Sequence, residues 1–162
     1  MNDPLNQVHL RRITLDNYEE CIGLQVSEDQ TGWVATNAKS LAEAYVNPTL
    51  VPLAIYDAAM RGSDPPPGSM VGFTMYEVAT GVGFILRLMI DRNHQRKGYG
   101  RAVMREVIRR LKLNPDVEMV AASHQRDNEA AANLYRSLGF VEWDEEWLKG
   151  HETEVFLRLE EV

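Results

Sequence analysis

Cysteine is almost absent from the sequence, and long apolar runs are missing as well. Cys21 is the only cysteine in 162 residues, so neither an intramolecular disulfide nor a cysteine-cluster metal site can form. The longest apolar run, 84–90, is interrupted by Arg87 and falls far short of the ~18 residues that a membrane span needs. Residues 1–7 contain no basic leader followed by an apolar stretch, which argues against a secretory signal. These absences predict a cytoplasmic protein that does not insert into membranes.

Positive charge is scarce overall but concentrated in one segment. Acidic residues outnumber basic ones by 24 to 17, for a net charge of -7, which disfavours general nucleic-acid binding because phosphates would be repelled. Residues 92–112, the basic segment, nevertheless hold eight basic side chains and one acid, Glu106. This segment is either a solvated helix face or a surface for an anion, and charge alone does not decide between them.

The length and composition predict one domain, spanning 1–162. A hydrophobic fraction of 44% is typical of globular chains with a core of their own. Runs of branched and aromatic residues predict strands over 8–13, 50–56, 70–78, 84–90, 117–123 and 154–159. Helical spacing and apparent capping boxes at 16–19 and 40–43 predict helices over 16–26, 40–46, 101–111 and 128–138.

The order of these elements predicts a mixed α/β fold. Consecutive strands in the first half imply an antiparallel meander, and strands separated by helices in the second half imply parallel crossovers. The proline-rich segment 62–69 is interpreted as a hairpin connection. We therefore expect a sheet of six to seven strands, antiparallel in its first half and parallel at its centre, flanked by about four helices.

A glycine-containing loop precedes the most regular helix. Its sequence is Gln95-Arg96-Lys97-Gly98-Tyr99-Gly100-Arg101. Glycines let the backbone turn tightly where a helix begins, and the unpaired amide groups and macrodipole there suit a phosphate or diphosphate. Spacing excludes two other phosphate loops, because Walker A needs Gly-Lys-Ser/Thr and the dinucleotide motif needs glycine where Val103 stands. A glycine turn without a ligand is the alternative.

Two motifs in this order resemble those of a known family. The loop 95–100 resembles the Q/R-x-x-G-x-G/A pyrophosphate loop of the GNAT superfamily of acetyl-CoA-dependent N-acetyltransferases. Residues 128–140, NEAAANLYRSLGF, resemble its second motif, N-x-x-A-x-x-L-Y-x-x-x-G-F. The predicted element order is also that of the family, so the resemblance spans nearly the whole chain. Segments 52–56, 71–76 and 87–91 look most like the bacterial spermine/spermidine acetyltransferases.

The resemblance implies where acetyl-CoA would bind. The backbone of the loop would hold the CoA pyrophosphate, with the basic segment supporting the anion; its residues are Gln95, Arg96, Lys97, Gly98, Tyr99, Gly100 and Arg101. Leu88, Met89 and Ile90 would lie where the family separates its fourth and fifth strands around pantetheine. Asn128 would contact the cofactor arm. Tyr135 would lie near the sulfur, although its pattern alone equally fits a residue that packs beside the helix.

Acetyl transfer to an amine requires several chemical groups. An alkylammonium with a pKa near 10.4 must lose a proton before attack, which costs about 4.6 kcal/mol at pH 7. A strand N–H near 88–90 is the candidate for the oxyanion, and Tyr135 is the candidate acid for the leaving thiolate. The resemblance places Glu28, Asp29, Tyr76 and Glu77 beside the acceptor cleft, and the base is left open among them, with Glu28 named first. The predicted acceptor-binding residues are Glu28, Asp29, Trp33 and Tyr76. Solvated surface roles for the carboxylates and a core-covering role for Trp33 are the alternatives.

The sequence thus predicts an acetyl-CoA:amine N-acetyltransferase that works by direct transfer without a metal. The resemblance to the spermine/spermidine acetyltransferases makes a polyamine the leading acceptor. The acidic balance outside the basic segment would attract a polycation, but an aminoglycoside or a basic protein tail fits that charge equally. The four histidines show no ligand spacing and are assigned no role. The alternative function is that of a regulatory domain that binds acyl-CoA without catalysing transfer. The family resemblance, and nothing else in the sequence, implies a homodimer.

Overall fold

The computed structural model describes residues 8–160. Residues 1–7, on which the argument about a leader rests, lie outside the described part, as do 161 and 162. The strands are β1 (Val8–Arg12), β2 (Leu50–Asp57), β3 (Met70–Ala79), β4 (Val82–Ile90), β5 (Met119–Gln125), β6 (Phe140–Glu142) and β7 (Glu154–Leu159). The helices are α1 (Tyr18–Gly23), α2 (Asn37–Val46), α3 (Tyr99–Leu113) and α4 (Glu129–Ser137). The predicted mixed α/β class is confirmed.

All the strands join one sheet, in the order β1-β2-β3-β4-β5-β7-β6. Only β4 and β5 run parallel; every other neighbouring pair is antiparallel. The antiparallel first half and the parallel pair at the centre of the sheet agree with the sequence prediction. After α4 the chain skips one position, and β7 fills it by folding back between β5 and β6.

The sheet opens between its two parallel strands. Pairing of β4 with β5 covers only Val82–Ile85 against Met119–Ala122. Beyond that point β4 pairs with β3 alone, and β5 pairs with β7 alone. A register shift leaves Leu86 without a partner in β3, and such a bulge bends the strand that carries it. The result is a gap in the middle of the sheet, lined on one side by 86–90.

The two faces of the sheet carry separate apolar clusters. Apolar residues of α3 at helical spacing, including Val103, Val107 and Leu111, pack on one face, and Tyr135 of α4 joins them. On the opposite face α1 and α2 cover a cluster that contains Phe73 and Met89. Each half of the chain thus supplies the helices for one face, and the gap connects the two faces.

The helices on the second face begin and end differently from the prediction. Helix α1 ends at Gly23, so 24–36 form a loop with a short 3-10 turn at Glu28–Gln30. The buried Asp91 draws this loop inward, since its Oδ1 accepts the Gln25 N–H at 2.9 Å. This bond between distant segments overrides the helix propensity of residues 24–26, which were predicted to continue α1. Neither predicted capping box caps its helix; α2 begins earlier, and Thr36 Oγ1 accepts the Lys39 N–H at 3.2 Å.

Gly72 of β3 lies so close to the backbone of its neighbour β4 that no room is left for a side chain. A Cβ atom there would collide with the carbonyl oxygen of Met89, which is backbone and cannot rotate away. We expect Gly72→Ala to lower the free energy of unfolding by about 1–3 kcal/mol, as overpacking does. Urea denaturation measures it. Gly32→Ala is the matched control because nothing lies within 4 Å of its Cβ position; equal stability of the two variants would contradict this packing.

Candidate active site

A cleft of about 560 Å³ lies where β4 and β5 separate, within the usual size range of small-molecule sites. Its walls are the loop after α1, the open half of β4, the loop before α3, the end of β5, and α4. The cleft brings together most of the residues that the sequence singles out: Asp29, Trp33, Leu88, Met89, Ile90, Gln95, Arg96, Gly98, Tyr99, Gly100, Asn128 and Tyr135.

Four predicted residues do not line this cleft: Glu28, Tyr76, Lys97 and Arg101. Glu28 and Asp29 are both exposed in the 3-10 turn, and of the two only Asp29 lines the cleft. Tyr76 packs against the apolar cluster under α3, because strand alternation puts it on the face opposite Met75. Arg101 donates to Ser137 Oγ at 2.8 Å, and Lys97 is exposed beside the loop.

The loop before α3 has the backbone of an anion-binding turn. Gly98 immediately precedes the helix with φ of +86°, and Arg96 has φ of +63°. No side chain caps α3, so its first N–H groups keep their hydrogen-bonding capacity and the positive end of the helix dipole. Arg96 adds a full positive charge at the cleft. This end of the cleft therefore suits a phosphate-bearing ligand.

Tyr99 anchors this loop to the sheet. Its hydroxyl donates to Asp57 Oδ2 at 2.6 Å. Burial, together with this hydrogen bond, raises the pKa of Tyr99 to about 12, and the same bond lowers the pKa of Asp57. The phenol therefore stays protonated and bound to the carboxylate at neutral pH, which fixes the start of α3 against the end of β2.

Paired glutamines connect the two walls of the cleft. Gln95 Nε2 donates to Gln30 Oε1 at 2.8 Å and to the Ile90 carbonyl at 3.0 Å. Gln30 Oε1 also accepts the Ser27 N–H at 3.2 Å. The loop after α1, the end of β4 and the loop before α3 thus form one hydrogen-bonded unit. Sequence reasoning missed Gln30, because a lone glutamine in a loop carries no motif.

Tyr135 lies deep in the cleft wall formed by α4. Asn128 caps that helix, accepting the Ala131 N–H at 3.1 Å. The Tyr135 ring packs between His124 and Phe140, with centroid distances of 6.0 and 5.7 Å, and only 6% of the residue is exposed. Burial raises the pKa of Tyr135 to about 12, so the cleft contains a neutral phenol at neutral pH.

The end of β5 supplies two cleft residues that the sequence did not indicate. Ser123 Oγ donates to Glu154 Oε1 of β7 at 2.6 Å. His124 places Nδ1 2.7 Å from the Gln125 carbonyl, a contact in which the ring nitrogen donates. Both residues fall at the end of a predicted apolar strand, and no spacing rule marks them.

Metal and membrane features can be described for residues 8–160. That part of the chain has no helix long and apolar enough to cross a membrane. It also contains no group of three or more His, Cys, Asp or Glu side chains that could hold a metal ion.

Comparisons with known proteins agree with this geometry. The model of the acetyltransferase (GNAT) family matches residues 16–140. A spermine/spermidine N(1)-acetyltransferase of Bacillus subtilis (strain 168) is 24% identical, over 82% of this chain and 87% of its own length. Among solved structures, Arabidopsis thaliana NAA60 in complex with a bisubstrate analogue is similar, with a TM-score of 0.68 at 16% identity, covering 94% of this chain and 98% of that one.

A second structure has the same fold: the spermidine N-acetyltransferase from Vibrio cholerae in complex with CoA and spermine. Its TM-score is 0.66 at 16% identity, with 94% of each chain covered. At such identities the structural likeness shows the fold, while the family model covers well over half of the chain. The chain therefore belongs to the acetyltransferase (GNAT) family and is an amine N-acetyltransferase.

Proposed function

We propose that the protein transfers the acetyl group of acetyl-CoA directly to a primary amine of a small polycation, with spermine or spermidine as the leading acceptors. The observation that carries this proposal is a cleft that passes between β4 and β5. It is lined by the uncapped start of α3 and, on the loop after α1, by a carboxylate and an indole. The polyamine acetyltransferase named above supports the choice of acceptor.

The residues around the start of α3 fit acetyl-CoA. The N–H groups from Gly98 to Arg101 would bind its diphosphate, because the left-handed glycine brings the backbone close. Arg96 would add charge from within the cleft, and Lys97 would add charge from outside it. The pantetheine arm would then follow the unpaired edge of 86–90 toward α4, where Asn128 lines the path.

Acetyl transfer at this site uses a phenol and a strand amide. The main-chain N–H of Leu88 or Ile90 would bind the oxyanion, since β5 does not pair with this part of β4, whereas the N–H of Met89 faces β3. Tyr135 would protonate the departing thiolate. Burial raises the pKa of the phenol, and burial of a thiolate beside it would make the thiolate a stronger base, so the two shifts act in compensating directions.

The burial of Cys21, the only cysteine of the chain, supports direct transfer without an acetyl-cysteine intermediate. Cys21 is completely buried beneath α1 and α2, and burial raises the pKa of its thiol to about 12. A buried neutral thiol is a poor nucleophile. An acetyl-cysteine intermediate is therefore not part of the proposal, and the amine attacks the thioester itself.

The cleft wall formed by the loop after α1 favours a cationic chain. Among the cleft-lining residues of the loop after α1, Asp29 is the only charged one, and Trp33 is half-buried beside it. An ammonium group can pair with the carboxylate, and the indole can cover methylene groups or bind a second ammonium through its π face. Polyamines combine both features in one molecule.

Amine selectivity is tested with purified protein, acetyl-CoA and a panel of amines, with release of free thiol as the readout. We expect turnover on spermine and spermidine with higher kcat/KM than on kanamycin or a lysine-containing peptide. Preference for kanamycin or the peptide would overturn the polyamine assignment. Calorimetric binding of acetyl-CoA without thiol release on any amine would contradict the transfer reaction itself.

A further inference from the structure

Ser123 of β5 and Glu154 of β7 form a hydrogen-bonded pair beside the cleft. Ser123 is the first residue of β5 beyond its last pair with β4, so its side chain borders the opening. Its hydroxyl donates to Glu154 Oε1 at 2.6 Å, a short bond typical of a hydroxyl bound to a carboxylate. Glu154 does not line the cleft itself but lies behind the serine, half-buried.

Strand geometry places this pair on the acceptor side. Side chains alternate along a strand, so Ser123 and His124 face opposite ways. His124 packs beside Tyr135, on the face covered by α3 and α4. Ser123 therefore faces the side of the loop after α1, which carries Asp29. Glu154 pairs with Gln125 in register, so its side chain projects on the same face as Ser123.

We propose that Ser123 and Glu154 form a proton relay that deprotonates the acceptor amine, an inference that rests on the proposed function. One N–H bond of the bound ammonium group breaks, so its electron pair becomes the nitrogen lone pair and its proton passes to Ser123 Oγ, while the hydroxyl proton of Ser123 passes to Glu154 Oε1. The lone pair then forms the C–N bond, and the second N–H proton, lost as the C–S bond breaks, balances the proton that Tyr135 gives to the thiolate. Glu154 then holds one proton more than before, and its partial exposure lets it return that proton to water.

The relay complements the role of Tyr135. The acid lies on one face of the sheet and the base on the other, with the open edge of β4 between them. Charged and titratable groups adjoin Glu154: Arg158 projects on the same face of β7, and Arg126 and His151 lie in the neighbouring segments. Arg126 Nε donates to the Glu152 carbonyl at 3.0 Å, and the His151 ring packs on Phe156 at a centroid distance of 5.3 Å.

Glu154→Gln tests the relay while preserving its shape. The amide oxygen can still accept the serine hydroxyl, but the side chain can no longer take a proton. With spermidine at about pH 7.5 we expect kcat to fall about 100-fold, with unchanged acetyl-CoA affinity by calorimetry. Ser123→Ala should lose a similar factor, and the double variant no more than either single variant, because the residues act as one unit. Glu152→Gln is the control, since it removes the same charge from an exposed neighbour.

The pH profile distinguishes a lost base from a structural defect. The fraction of neutral amine in solution rises about tenfold per pH unit below the amine pKa of about 10.4. The deficit of Glu154→Gln should therefore shrink to less than tenfold near pH 9.5. A deficit that stays constant with pH, a kcat equal to that of Glu152→Gln, or losses that multiply in the double variant would each overturn the relay. A wild type that acetylates no amine would instead contradict the proposed function.

Discussion

Tyr135→Phe is expected to lower kcat about 1,000-fold while changing acetyl-CoA affinity less than twofold. The substitution removes the hydroxyl but keeps the ring between His124 and Phe140, so the packing of α4 survives. Without the phenol the thiolate must leave unprotonated or take a proton from water, and a positioned general acid contributes about 10²- to 10⁴-fold. The effect belongs in kcat because the proton is transferred only as the C–S bond breaks.

Steady-state kinetics with spermidine, together with calorimetry for acetyl-CoA, measure both quantities. Tyr45→Phe is the matched control because Tyr45 is 90% exposed on α2, away from the cleft. The wild-type pH profile adds a second check. Burial raises the pKa of Tyr135 to about 12. Deprotonation of this phenol should therefore cause no alkaline fall in the wild-type kcat below about pH 11. An unchanged kcat in the phenylalanine variant would remove Tyr135 from the chemistry.

Gly98→Val is expected to weaken acetyl-CoA binding about 10- to 100-fold, which corresponds to roughly 1.4–2.8 kcal/mol. Gly98 has φ of +86° directly before α3, a conformation that a β-branched residue adopts only with strain. The valine must either distort the turn or place its methyl groups where the diphosphate approaches the backbone. Both outcomes reduce the number of N–H groups that can reach the anion.

Gly68→Val separates loss of the binding turn from general strain. Gly68 has φ of +88° in the proline-rich hairpin, with open space around its Cβ position, and does not line the cleft. Both variants should lose similar stability in urea denaturation, but only Gly98→Val should lose affinity in calorimetry. Equal acetyl-CoA affinity in the two variants would show that the turn before α3 does not hold the cofactor.

The features that sequence reasoning predicted depend on local patterns. Apolar spacing located α3, and two motifs with glycine or asparagine at defined positions located the loop before α3 and the start of α4. Such signals report backbone conformation within a few residues. The strands of the first half followed from their apolar runs, and the proline-rich segment 62–69 does connect β2 to β3 as a hairpin.

The features that sequence reasoning missed depend on contacts between distant segments. The loop after α1 is drawn in by Asp91 and held by the pair of Gln30 and Gln95, which lie 65 residues apart. Tyr76 was expected at the acceptor site, but strand alternation in β3 puts it under α3, on the face opposite Met75. Ser123 acquires its carboxylate partner only because β7 returns between β5 and β6.

A crystal structure of the protein with acetyl-CoA tests the central claim most directly. We predict that the diphosphate oxygens lie about 3 Å from backbone nitrogens between Gly98 and Arg101. The thioester should lie between the open edge of β4 and the Tyr135 hydroxyl, with the acceptor side free for an amine. A diphosphate bound elsewhere, with the gap between β4 and β5 filled by side chains, would contradict the account.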